Sequence, residues 1–160
     1  MSGHRSRRRG KRGEYLLRDY LRQMGWSADR VPTSGAAQGF KGDVKASKGE
    51  KQNVLFELKN HSDVFKKIYA FYDAERLKNK DDLAAFCYPG ETRQCISLST
   101  SVEAIFDGPD VYPIFNESHA HYKEFKLTVG KIARMQALLG EAHILVLKDD
   151  RKPFLFVRYR

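Results

Sequence analysis

A chain of 160 residues with 41% hydrophobic and 12% aromatic side chains is long enough for one domain with a real core. No apolar run nears the roughly 20 residues that span a bilayer, and no apolar segment follows the basic N-terminus, so neither a membrane span nor a secretory signal is expected. Cys87 and Cys95 make no disulfide framework, and a reducing compartment is the default.

The net charge is +9, and it is uneven: Arg5, Arg7, Arg8, Arg9, Lys11 and Arg12 carry six positive charges without an acid, leaving +3 for the rest. Residues 1–12 are expected to form a flexible basic arm beside a single domain over 13–160. Such an arm suits a phosphate backbone, bound without sequence preference and released by salt. A solubilising tail or a targeting signal has the same composition.

From Gly13 to Met24 the apolar residues Leu17, Tyr20, Leu21 and Met24 recur at helical spacing, and Gly25 ends the segment. Glu14 falls on the inward side of this helix, either as a partner for the helix dipole or as a ligand reaching into a site. Trp26 to Val31 reads as a short strand. Pro32 to Gly39 is a loop of small residues that can let backbone approach a ligand, and Arg30, Lys41 and Lys45 around it are expected to hold a DNA backbone together with the basic arm.

The stretch from Asp43 to Lys59 is the most informative. Val54-Leu55-Phe56 is an apolar run that suits a strand buried on both faces, and Lys48 to Gln52 is polar and turn-like. Strand period puts Glu57 and Lys59 on one face. A turn centred near Glu50 puts Asp43 opposite Glu57, where Cβ atoms stand roughly 5 Å apart. Two carboxylates that close repel, so one takes up a proton unless a cation sits between them, and a hard divalent ion such as Mg²⁺ fits. Lys59 is placed to hold a water or steady a developing oxyanion. A surface salt bridge is the plainer explanation of an E-x-K pair.

Further on, Ser62 is a candidate cap for a helix to about Asn79, with Phe65, Ile68, Tyr69 and Tyr72 as its stripe. Leu83 to Tyr88 and Arg93 to Leu98 read as paired strands around Pro89-Gly90. Val102 to Phe115 is ambiguous. His119 and His121 form a weak metal pair without a third ligand. A helix is expected over 127–139, then a hairpin of His143 to Lys148 and Phe154 to Tyr159. The fold class is α/β (or α+β), a mixed central sheet flanked by helices.

The series Glu14, Asp43 and Glu57-Leu58-Lys59 resembles the PD-(D/E)xK nuclease motif. With Val31-Pro32-Thr33-Ser34-Gly35 and Gly42-Asp43-Val44, it is similar to the archaeal-type Holliday junction resolvases and their phage relatives. The likeness covers about residues 5–72 and again 141–158. Lys41-Gly42-Asp43 departs from the family's Pro-Asp, and residues 80–127 look like an insertion. The resemblance implies a restriction-endonuclease-like core. It implies Mg²⁺, with Mn²⁺ able to substitute, on Asp43, Glu57, Glu14 and the carbonyl of Leu58. It implies that Lys59 positions or activates the attacking water and that Ser34 touches the scissile phosphate. It also implies a homodimer acting on branched DNA, a four-way junction, in the cytoplasm of a bacterial or archaeal cell, with a phage gene as one source. Related nucleases acting on other DNA, restriction-like or at forks and flaps, remain open, as does a binder of branched DNA that does not cut.

Overall fold

The computed structural model describes residues 2–31, 43–60, 65–79, 82–88, 94–108, 143–149 and 151–159. Its elements in chain order are α1 (Ser2–Gln23), β1 (Ser27–Arg30), β2 (Val44–Lys48), β3 (Lys51–Asn60), α2 (Lys66–Asn79), β4 (Ala84–Tyr88), β5 (Gln94–Ser99), α3 (Val102–Asp107), β6 (His143–Lys148) and β7 (Leu155–Tyr159). The seven strands among the described residues form one mixed sheet in the order β1-β2-β3-β6-β7-β5-β4. Only β3 and β6 run parallel; the other neighbours are antiparallel.

The sheet is covered on both faces, and β6 shows how. Leu145 and Leu147 join the cluster of α2 residues Ile68, Tyr69, Phe71 and Tyr72. Ile144 and Val146 join the cluster holding Leu17 and Leu21 of α1 and Val102 and Ile105 of α3. Alternate residues of one strand therefore feed two cores, which explains the unbroken apolar run of β6. The expected stripe Phe65, Ile68, Tyr69 and Tyr72 is buried as a unit.

Two expectations need correction. The first helix begins at Ser2, not Gly13, so the basic segment continues the same helix. Arg and Lys are good helix formers and no proline interrupts them, so the run stays helical despite Gly3 and Gly10. The start and the end differ in kind: Gly25 takes φ 90°, a left-handed conformation that stops the helix where expected. The run Val54-Leu55-Phe56 is not buried on both faces. Phe56 is buried with Leu58 against α1, while Val54 and Leu55 are half-buried. β3 is flanked by strands, but Leu55 and Glu57 point away from α1 and join neither core cluster.

Val102 to Asp107, ambiguous from sequence, is a helical turn capped by Ser101, whose Oγ accepts from the Ala104 N–H at 3.3 Å. Segment 84–107 supplies β4, β5 and α3 to the sheet and its cover. Ser62, the Pro89-Gly90 turn, His119, His121 and the helix expected over 127–139 lie outside the described residues.

The β2–β3 hairpin carries one irregularity on which the site depends. Val44 pairs with Phe56 and Ala46 with Val54, but Lys48 pairs with Lys51, a one-residue change of register. The extra residue is on β3, where Asn53 takes φ 54° and its N–H donates to Ser47 Oγ at 2.9 Å. Had the register of the Lys48–Lys51 pair continued, Asp43 would oppose Phe56. The bulge instead brings Asp43 level with Glu57, the pairing expected from a turn near Glu50. Asn tolerates the left-handed region better than branched residues do. Asn53→Val is expected to destabilise the protein by roughly 1–2 kcal/mol, while Asn53→Gly holds stability within a few tenths. Urea unfolding of both variants measures this.

Candidate active site

Strand β2 begins at Val44, one residue short of where β3 still offers a backbone donor. Asp43 takes over that role. Its N–H donates to the Phe56 carbonyl at 2.9 Å, and its Oδ2 accepts from the Leu58 N–H at 2.7 Å. A side-chain carboxylate thus completes the ladder where backbone carbonyls run out, and it is held in the plane of the sheet beside Glu57.

Glu14 arrives from α1, because that helix crosses β3 at close range. A Cβ on Gly13 would stand 2.7 Å from Leu58 Cδ2 and 2.9 Å from Asn60 Nδ2. Any larger residue would have to displace the ends of those two side chains, and the next residue is Glu14. Gly13 was missed in the sequence; the available signal was a glycine inside a helical segment immediately before an inward acid. Glu14 stands near enough to Asp43 to push its carboxyl up, and it also meets Arg30, whose Nε and Nη2 donate to Glu14 Oε2 at 3.0 and 2.8 Å.

The electrostatics follow from this crowding. Burial pushes the Asp43 carboxyl up to about 7, and the nearby charge of Glu57 and the contact with Glu14 push the same way, against the Leu58 N–H that favours the anion. Glu57 is paired with Lys59, Nζ to Oε1 at 3.5 Å. Each acid is therefore neutralised separately: Asp43 by a proton over much of the acid range, Glu14 by Arg30, Glu57 by Lys59. As the side chains stand, no three ligating groups among the described residues are gathered tightly enough to hold one ion. The donor set itself, three carboxylates with the Leu58 carbonyl alongside, is hard oxygen throughout and suits Mg²⁺ or Mn²⁺.

Of the expected site residues, the structure brings together Glu14, Asp43, Glu57, Leu58 and Lys59. Arg30 joins them through Glu14. Lys45 is exposed on β2, and Lys11 and Arg12 are exposed on α1. Arg5, Arg7, Arg8 and Arg9 lie on the same helix. Ser34 and Lys41 lie outside the described residues. Tyr15 was not foreseen. Its ring has the Arg30 guanidinium 4.4 Å from the centroid and that of Arg18 at 4.9 Å, and its hydroxyl meets Arg30 Nη1 at 3.1 Å.

The structure thus sets opposed acids at the open end of a hairpin in a mixed sheet, with a lysine two residues beyond. Residues 5–79 match the family model of archaeal Holliday junction resolvase (hjc). The family suspected from the motif series is the one that matches, over a segment that holds every site residue named above. A stretch of 64 residues is also 44% identical to Protein D14 of Escherichia phage T5, covering 36% of this chain and 40% of that protein. The match spans less than half the length of this curated relative. No solved structure matches the chain. Among the described residues, no helix is long and apolar enough to cross a membrane.

Gly13→Val is expected to force α1 away from β3 and lower stability by about 1–3 kcal/mol, as overpacking does; the shift in thermal midpoint checks it. The pH dependence has a definite sign. Asp43 is raised from 3.8 to about 7, so its contribution to stability is full below pH 3.8 and lost as pH rises through 7. Without divalent ions, Asp43→Asn should therefore gain on the parent as pH climbs from 4 to 8. Thermal midpoints of the two proteins in a chelator, compared across that range, test this, and a constant difference would refute it.

Proposed function

We propose that the protein is a Mg²⁺-dependent, structure-selective DNA endonuclease that resolves four-way junctions by paired symmetric nicks. What supports this is Asp43 held on the Leu58 N–H with Glu57 and Glu14 both near enough to push its carboxyl up, and Lys59 paired with Glu57, inside the segment that matches the resolvase family. Asp43 and Glu57, with Glu14 and the Leu58 carbonyl, are the groups that would hold the divalent ion. Bound there, the ion supplies charge neutralisation for the scissile phosphate. Lys59 lies beside Glu57 with its side chain 40% exposed, where it can position the attacking water or steady the phosphate oxygens. Ser34 is assigned to the phosphate on the family resemblance alone.

DNA is held by charge more than by base edges. Six basic residues occupy the N-terminal half of α1, and no acid stands in its first turn. Cations at a helix N-terminus oppose the helix dipole, so the free helix carries a cost that a phosphate removes. Lys41 and Lys45 extend the same role. Two opposed nicks require a two-fold dimer, with one site for each strand.

A cleavage assay tests the whole. A labelled four-way junction, a linear duplex and a flap are incubated with Mg²⁺. Paired nicks in the junction alone are expected. Cutting of duplex or flap instead would identify a related nuclease of other substrate, and binding without product a junction-binding protein. Asp43→Asn and Glu57→Gln should each lower the rate at least 100-fold with junction binding kept, and Lys59→Ala should slow the step by about 10²–10⁴-fold. Loss of binding in the two acid variants would give those residues a folding role.

A further inference from the structure

Arg30 is set among the groups expected to grip DNA, yet its guanidinium faces the acids. Two of its nitrogens converge on one oxygen, Glu14 Oε2, at 3.0 and 2.8 Å, and the third meets the Tyr15 hydroxyl at 3.1 Å. Its flat face lies over the Tyr15 ring at 4.4 Å. Both partners of the ion pair are mostly covered, Arg30 with 26% of its side chain exposed and Glu14 with 20%. This is no idle surface pair of the kind that contributes little. It is a fixed positive charge at the acid most distant in sequence from the hairpin.

A cation so placed has a consequence. A divalent ion entering between Asp43 and Glu57 meets Arg30 already on Glu14, and the two positive charges repel. The ion must take Glu14 from the arginine or do without it. A phosphodiester beside the site changes the balance, because a guanidinium binds phosphate in the same forked geometry as carboxylate. Arg30 is partly exposed and anchored on an aromatic face over which it can pivot.

The geometry points to Arg30 as an internal countercharge that exchanges Glu14 for a DNA phosphate, so that substrate arrival frees the third acid for the metal. This rests on the nuclease reading and adds to it an order of events: the free protein holds divalent ions weakly, and backbone contact raises that affinity. The coupling is reciprocal, as binding linkage requires. Lys59 on Glu57 and the proton on Asp43 oppose metal entry in the same sense, but neither is placed to reach from the helix side as Arg30 does.

Arg30→Gln separates this from a merely structural role, since the two binding affinities should move in opposite directions. Calorimetric titration of the free protein with Mn²⁺ should show binding tighter by on the order of tenfold. Binding of a four-way junction in a chelator should weaken, with the salt dependence reduced by about one phosphate contact. A structural role would weaken both. Arg30→Met, which keeps the apolar stem on Tyr15, serves if the Gln variant does not fold. Unchanged or weaker Mn²⁺ binding, or unchanged junction affinity, overturns the exchange while leaving the nuclease assignment intact. If the unaltered protein binds no Mn²⁺ with or without junction, the assignment itself fails, and this inference with it.

Discussion

The bond from the Leu58 N–H to the Asp43 carboxylate is the constraint on which the site depends. It exists because β2 stops one residue before β3 stops needing an acceptor. A main-chain carbonyl there would have satisfied the ladder and left no acid in place. A carboxylate satisfies it with one oxygen and keeps the other for chemistry. The cost is a buried charge beside two more acids, visible in the rise of the Asp43 carboxyl to about 7.

The rest of the scaffold serves that bond. β6 pairs parallel to β3 from Leu55 to Asn60 and, buried on both faces, fixes the strand bearing Glu57 and Lys59. The Asn53 bulge sets the parity of the hairpin, so that Asp43 meets Glu57 and not Phe56. Gly13 lets α1 come close to β3, and Glu14 beside it comes near Asp43. Each device is a local departure from regular structure, and each is small: one missing β-carbon, one left-handed residue, one strand a residue short.

Charge is handled in the same way throughout. The acids are met one at a time by Arg30, Lys59 and a proton, and the positive charge of residues 5–12 lies on the helix that delivers Glu14. The basic residues and Glu14 thus share one helix. In this arrangement the charges of the site are balanced against one another.

Much of this was legible in the sequence. Period-two alternation placed Glu57 with Lys59, and the apolar runs located β6, β7 and the stripe of α2, because these patterns are set by neighbours along the chain. The family could be suspected because the acids keep a characteristic order. What the sequence could not decide is anything that depends on how two elements meet. The turn near Glu50 yielded the right opposition only because a bulge at Asn53 compensates a tighter turn, and no residue pattern separates those cases. Arg30 looked like a free cation until Glu14, sixteen residues away, was folded against it. The helix start at Ser2 was hidden by a composition that fits a disordered arm equally well. Sequence determined which residues could do chemistry. Tertiary packing decided which of them touch, because contact between α1 and the hairpin is fixed by side-chain volume at the crossing and by register, and neither is written in local composition.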